Sequence, residues 1–242
     1  MFYEVTITNN QPTPHLGNEP NPHVLRCGWS VDNSNISGLG CEPLSYGYGG
    51  TGKVSVSSRF ISYGVPYGLG DVIGCYLDMS SDQILISYTV NGRNLGVAFR
   101  VSRAELKGQA LFPHILTKNQ DFLVNFGQLA QPMRPILPNF TPIGQLEAKD
   151  GLVRGTKGPE LKSECEFIQM VGLPNAGKTF WALDHCKKNP EKKFNILGTN
   201  SLIDRMKVMG LRRKGNYNER WDELIKKCTE CFNVLMRMAK NR

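Results

Sequence analysis

The sequence predicts an α+β chain of two domains, an all-β sandwich followed by a partial α/β domain built around a phosphate-binding loop. Three observations carry this prediction. Residues 1–130 are short Val-, Ile-, Phe- and Tyr-rich stretches punctuated by Gly, Asn, Asp and Ser. Residues 131–159 hold five prolines, at 132, 135, 138, 142 and 159. Residues 170–180, "MVGLPNAGKTF", set Gly172, four further residues and then Gly177-Lys178-Thr179 between an apolar run and a helical pattern.

In the first domain, 1–130, the expected strands are "FYEVTIT", "KVSVSS", "DVIGCYLDM", "QILISYTV", "LGVAFRV" and "FLVNFG". Asn91-Gly92 lies between two of them and is a strong two-residue hairpin signal, because both residues tolerate positive φ. No helical period precedes "SRAELKG", so the domain reads as an antiparallel sandwich. Residues 131–160 are too rich in proline and glycine for regular structure and are expected to form a connector, with "PILPNF" able to pack back on the sandwich.

The second domain, 161–242, is expected to run β-α-β-α-α. "CEFIQMVG" reads as a buried strand entering the glycine loop, "KTFWALDHCKKN" as a helix and "KFNILGTN" as a second strand. "SLIDRMKVMG" reads as a helix stopped by Gly210. The final segment places Trp221, Leu224, Ile225, Cys228, Phe232, Leu235 and Met236 at helical spacing.

Hydrophobic residues make up 40% and charged residues 21%, enough apolar content for a sizeable core. No apolar run reaches the roughly 20 residues needed to cross a bilayer, and no secretory signal pattern opens the sequence. Seven cysteines without framework spacing point to a reducing compartment, cytosol or nucleus. Residues 1–140 carry 9 basic and 9 acidic side chains, whereas residues 141–242 carry 20 and 12. The whole net charge of +8 therefore sits in the second part, where it suits either an anionic partner or a solvated Lys-rich surface.

The glycine loop is the strongest chemical signal. Glycines let the backbone curl so that N–H groups point at phosphate oxygens, and the following helix adds its positive end. The expected nucleotide-binding residues are Gly172, Leu173, Pro174, Asn175, Ala176, Gly177, Lys178 and Thr179. Lys178 would reach the β- and γ-phosphates, and the Thr179 hydroxyl would join the shell of the Mg²⁺ carried by ATP. Turnover needs an acidic residue at the end of a further strand; Asp184 and Asp204 lie on helices, and Asp222 and Glu223 open one. No catalytic residue is expected.

Cys228 and Cys231 form a lone CxxC inside a helical pattern, which points to packing rather than zinc, so no structural metal is expected. His15, His23, His114 and His185 are scattered and define no catalytic set. Arg212, Arg213, Lys214 and Tyr217 could track a phosphate backbone and stack a base, although a solvated loop between helices is the favoured reading.

The motifs "RCGWS" at 26–30, "LSYGYGG" at 44–50, "GDVIGCYLDM" at 70–79, "NGRNLGVAF" at 91–99, "LFPHI" at 111–115 and "VNFG" at 124–127 together resemble a SPRY domain. That resemblance implies two antiparallel sheets and a protein-interaction module. Trp29 and Tyr46 are expected to be core aromatics. With "VGLPNAGKTFWA" and "FNILGTNSLIDRMKVMGLRR", the whole chain resembles the heterogeneous nuclear ribonucleoprotein U and U-like family, "NILGTN" and "MGLRR" standing nearest to its U-like protein 1. The family implies a nuclear, RNA-associated protein whose second domain is similar to polynucleotide kinases, with Gly172 to Thr179 as its ATP-binding stretch.

Family members carry a SAP segment and acidic region before the SPRY domain, an "ILDQTN"-like strand after the last helix, and an arginine-glycine tail. The sequence is accordingly read as a short form or fragment lacking these, with Phe180 where relatives tend to have a second Thr. The expected function is that of a nuclear ribonucleoprotein-type protein in RNA processing or transcription regulation, with protein partners through the SPRY domain and weak Mg·ATP binding. The alternatives are an active ATPase or polynucleotide-kinase-like phosphotransferase, and an adaptor in which only the SPRY domain works.

Overall fold

The computed structural model describes residues 1–14, 21–32, 38–155, 158–205 and 221–240. His15 and the basic stretch Arg212, Arg213, Lys214 and Tyr217, with the "MGLRR" motif, lie outside them. The described residues fall into two compact units, one of residues up to Val153 and one of Arg154–Arg205 with 221–240.

The first unit is a sandwich of two five-stranded sheets. Its strands are β1 (Phe2–Asn10), β2 (Val24–Val31), β3 (Ser45–Gly49), β4 (Lys53–Val56), β5 (Arg59–Ser62), β6 (Val72–Asp78), β7 (Gln83–Val90), β8 (Arg93–Ser102), β9 (Leu111–Lys118) and β10 (Gln120–Asn125). One sheet has the order β10-β1-β6-β7-β8 and the other β5-β4-β3-β2-β9. Every named strand pairing is antiparallel. The expected hairpin between β7 and β8 is present, with Asn91 at φ 51° and Gly92 at φ 82°, the double positive φ that matches strand twist.

The core forms where the inward residues of both sheets meet. Alternate residues of β2, Leu25, Cys27 and Trp29, are fully buried in it beside Tyr3, Val5 and Ile73. Trp29 and Tyr46 are both buried, as core aromatics should be. A tyrosine cluster fills one part of the core. The Tyr48 ring lies 5.1–5.5 Å from those of Tyr63, Tyr67 and Tyr88, and the Tyr67 hydroxyl sits 3.0 and 2.9 Å from the carbonyls of Leu25 and Tyr48.

Burial pushes the Tyr46 and Tyr63 hydroxyls up to about 12. An unfolded tyrosine titrates near 10. Below about 10 both folded and unfolded chains keep the proton, so stability is unaffected there. Between about 10 and 12 the unfolded chain deprotonates first, and stability falls as pH rises. Urea midpoints of the sandwich should therefore hold steady up to about pH 9 and drop steeply above about pH 10; a flat profile through pH 12 would contradict this packing.

The proline-rich segment after β10 is strapped to the sandwich. Phe2 N–H donates to the Thr141 carbonyl at 3.0 Å, and Phe140 meets Tyr76 edge-on at 5.0 Å. The anchor is Glu4, which is 2% exposed on β1. Its carboxylate accepts from Asn125 Nδ2 at 2.9 Å and from the backbone N–H groups of Met133 at 2.9 Å and Arg134 at 3.1 Å. Prolines cannot bond through their own N–H, so the segment is held by neighbouring amides and by ring packing.

The second unit differs from the expected β-α-β-α-α order. Its described regular elements are helices: α1 (Lys178–Lys188), α2 (Thr199–Arg205) and α3 (Trp221–Lys240). Neither "CEFIQMVG" nor "KFNILGTN" is a strand. Phe167 is 73% exposed and Val171 85% exposed, so this apolar run is uncovered. A parallel strand needs hydrogen-bonded neighbours and helices on both faces. Here Glu166 of the first segment is tied to Lys192, just before the second, by an ion pair of 2.5 Å, an exposed pair worth little.

Helices α1, α2 and α3 lie on the segments expected to be helical, while the expected stop at Gly210 lies outside the described residues. α2 and α3 bury Leu202, Ile203 and Cys228, with Ile225, Cys231, Phe232 and Leu235 packed around them. Cys228 and Cys231 therefore serve the packing of α3 against α2, and burial raises the Cys228 thiol. No described helix is long and apolar enough to cross a membrane.

Candidate functional site

The glycine loop leads directly into α1. Asn175 adopts φ 62° and Gly177 φ 81°, two left-handed residues that reverse the chain before the helix begins. A side chain on Gly177 would meet no neighbour, so glycine is required there by backbone conformation rather than by space. The Ala176 N–H closes the turn on the Leu173 carbonyl at 3.2 Å, and Trp181 N–H makes the first helical bond to the Gly177 carbonyl at 3.0 Å. The amides of Lys178, Thr179 and Phe180 thus precede the first intrahelical donor, Trp181 N–H, and lie at the positive end of the dipole.

Lys178 is the one half-buried residue of the loop segment; Gly172 to Gly177 and Thr179 are exposed. Its ammonium folds back over the loop and donates to the carbonyls of Gly172 at 2.7 Å and Leu173 at 2.6 Å. The Lys178 ammonium thus closes the loop onto Gly172 and Leu173, with Pro174, Asn175, Ala176 and Gly177 forming the turn between and Thr179 following on α1. The donor set is the helix-start amides, one ammonium and the Thr179 hydroxyl. It is chemically suited to a polyphosphate carrying Mg²⁺, in which phosphate oxygens would replace the two carbonyls around Lys178.

The acidic side chains near the loop are occupied elsewhere. Asp184 pairs with Lys188 at 2.7 Å across one turn of α1. Glu166 pairs with Lys192, whose ammonium holds that carboxyl below its usual range. Beside the loop, the Trp181 and His185 rings stack at 4.6 Å and 10°, and His185 also meets Phe194 at 5.2 Å. Their spacing of four residues on a helix was the available signal for this stack. Of the other histidines, His114 Nδ1 lies 2.9 Å from Ser30 Oγ in the sandwich and His23 Nε2 lies 2.8 Å from the Gln11 carbonyl.

The sandwich holds a second place of interest that composition alone does not show. Arg26, on β2, is 3% exposed. Its stem runs over Gly47 of the neighbouring β3, where a Cβ would stand 2.7 Å from Arg26 Cδ. The glycines of "YGYGG" make that lane.

Comparison with known proteins follows the same division. Residues 1–129 match the SPRY domain family and residues 167–241 match an AAA domain family. The chain is similar to heterogeneous nuclear ribonucleoprotein U-like protein 2 of Mus musculus and of Homo sapiens. In each case the identity is 37% over 239 residues, covering 99% of this chain and 32% of that protein. It is also similar to the ATP-dependent RNA helicase DDX1 of Xenopus laevis, 34% identical over 162 residues, covering 64% of this chain and 20% of that one. A crystal structure of a human SPRY domain aligns with TM-score 0.41 and 18% identity, over 51% of this chain and 74% of that one. The chain spans about a third of the length of the U-like relatives it matches. The SPRY match covers more than half of the 242 residues, coincides with the two-sheet sandwich, and places the chain in the SPRY domain family.

Proposed function

We propose that this chain is a nuclear, RNA-associated protein of the ribonucleoprotein type, serving RNA processing or transcription regulation as a binding protein. In this reading the SPRY unit takes protein partners, and Gly172, Leu173, Pro174, Asn175, Ala176, Gly177, Lys178 and Thr179 hold Mg·ATP weakly. The observation that carries the nucleotide part is the Lys178 ammonium folded onto the Gly172 and Leu173 carbonyls at the start of α1. Lys178 is the group that would neutralise the terminal phosphates, and Thr179 the one that would touch Mg²⁺. The names of the U-like relatives and of the DDX1 helicase support an RNA-associated role. So does the basic excess confined to residues 141–242.

A second reading, an ATPase or polynucleotide-kinase-like phosphotransferase, is favoured by the AAA domain match over residues 167–241. Against it, Asp184 and Glu166 are engaged by lysines, and among the described residues no group of three His, Cys, Asp or Glu side chains is placed to hold a metal. Incubation with radiolabelled Mg·ATP, with and without single-stranded RNA, separates the two. Phosphate release should stay at background; release that disappears in Lys178→Ala would establish the enzyme instead.

A further inference from the structure

At the end of the sandwich where β2 begins and the β3–β4 turn closes lies a cavity of about 170 Å³. Its wall includes Arg26, Lys53, His23, Phe60, Tyr67 and Gln120. Among its described lining residues there is no Asp or Glu. Arg26 itself has lost nearly all its water. One N–H is taken by the Leu39 carbonyl at 2.5 Å, and its guanidinium carbon lies 5.1 Å from the Phe60 ring centre. Among the described residues no carboxylate is within ion-pair distance of it. A guanidinium has five donors, so this one retains charge and hydrogen-bonding capacity. Burial lowers its pKa, with the neighbouring Cys41 thiol and Tyr67 hydroxyl acting the other way. An unpaired acceptor lies in the same wall: among the described residues Gln120 Oε1 is buried without a hydrogen-bond partner, while its Nε2 donates to Asn10 Oδ1 at 2.8 Å.

We infer that this cavity is the anchor point for an acidic peptide segment of a protein partner, with one Asp or Glu carboxylate received by Arg26 and a peptide N–H by Gln120. The size fits: the cavity lies below the roughly 300–1,000 Å³ of small-molecule sites, so it admits one side chain rather than a nucleotide. The spare donors of Arg26 and the unpaired Gln120 oxygen, both in this wall, ask for an anion and an N–H donor. A peptide supplies both, whereas a bare phosphate group supplies only the first. Phe60, 39% exposed, offers an apolar edge for the side chain's methylenes, and exposed Lys53 adds a second positive charge at the mouth. The lane over Gly47 fixes Arg26 in place, so little side-chain entropy remains to be lost on binding.

This inference rests on the reading of the SPRY unit as a protein-binding module and is independent of the glycine loop. The test is fluorescence anisotropy of the whole chain with a fluorescein-labelled peptide rich in Asp and Glu. The comparison probes are the same peptide with Asn and Gln, and a single-stranded oligoribonucleotide. The acidic peptide should bind, and its amide counterpart on the order of tenfold more weakly. Lys53→Glu, at an exposed position, should weaken the acidic peptide about tenfold without altering the melting temperature. Arg26→Lys, which keeps the charge but loses the planar fork, should weaken it further and is read only after its fold is confirmed by circular dichroism. Equal affinity for both peptides, indifference to Lys53→Glu, or no binding at millimolar peptide would overturn the assignment. So would an oligoribonucleotide that binds in place of the peptide and loses affinity in Lys53→Glu. If the Arg26 and Lys53 variants still capture protein partners, the interaction-module reading stands and only the cavity assignment falls.

Discussion

Gly28→Ala is expected to destabilise the sandwich by more than about 3 kcal/mol, lowering its melting temperature by about 10 °C or more. Gly28 sits in the middle of β2, between Gly47 of β3 and His114 of β9. A Cβ there would lie 1.9 Å from the Tyr46 carbonyl oxygen and 2.8 Å from the Tyr88 hydroxyl. The first of these is backbone in a paired strand and cannot swing aside. The Tyr3 hydroxyl donates to the Gly28 carbonyl at 2.7 Å and accepts the Gly28 N–H at 2.9 Å, so a shift of β2 also breaks a buried link between the two sheets. Gly68→Ala is the control, because a Cβ there meets nothing within 4 Å. Its thermal midpoint should stay within about 2 °C of the parent, in line with the small effect of an unstrained Gly→Ala change. Equal midpoints for the two variants would refute the packing described for β2.

Glu4→Ala is the second large effect, at about 2–4 kcal/mol, because it strands three donors at once. Asn125 Nδ2 stays buried beside the vacated carboxylate site, while the Met133 and Arg134 amides can turn to water by releasing the strap. Stability loss should therefore come with a local change. In the parent chain, limited proteolysis should cut first within residues 154–160, between the two compact units. In Glu4→Ala, new cuts should appear within residues 131–145. A destabilised variant whose cleavage sites match the parent's would show that Glu4 is merely a core residue and does not hold the strap.

These two residues mark the boundary of what local sequence reveals. β7 announces itself by alternation, β1 and β10 by β-branched and aromatic content, and the Asn91-Gly92 turn by its two residues alone. β2 and β3 do alternate, with Leu25, Cys27 and Trp29 and then Tyr46 and Tyr48 facing the core, but Arg26, Gly28, Gly47 and Gly49 interrupt the β-branched run expected of a strand, and only the ordered SPRY motifs covered them. Glu4 reads as an ordinary polar strand residue, because its partners are 121 to 130 positions away. Arg26 reads as a surface charge until the missing side chains of a neighbouring strand are seen to make room for it.

In the second unit the loop is legible because its chemistry is local: the glycine spacing sets the turn, and the helix pattern sets where the amides point. The strands expected on either side were not decided locally. "CEFIQMVG" has the apolar continuity of a buried parallel strand, yet such a strand exists only if other chain segments bond and cover it, and Phe167 and Val171 stand exposed. Amphipathic α3 succeeded where they failed because a helix satisfies its own backbone and needs only one apolar stripe, met here by α2.

The central claim is that Gly172 to Thr179 form a phosphate cradle governed by Lys178. Isothermal titration calorimetry of the whole chain with Mg·ATP tests it most directly, with Lys178→Ala as the paired variant. The account predicts saturable heat for the parent chain and at least roughly tenfold weaker binding for Lys178→Ala, the loss expected when a charge-assisted phosphate contact is removed. Absence of binding at millimolar nucleotide, or equal binding by both proteins, would contradict it.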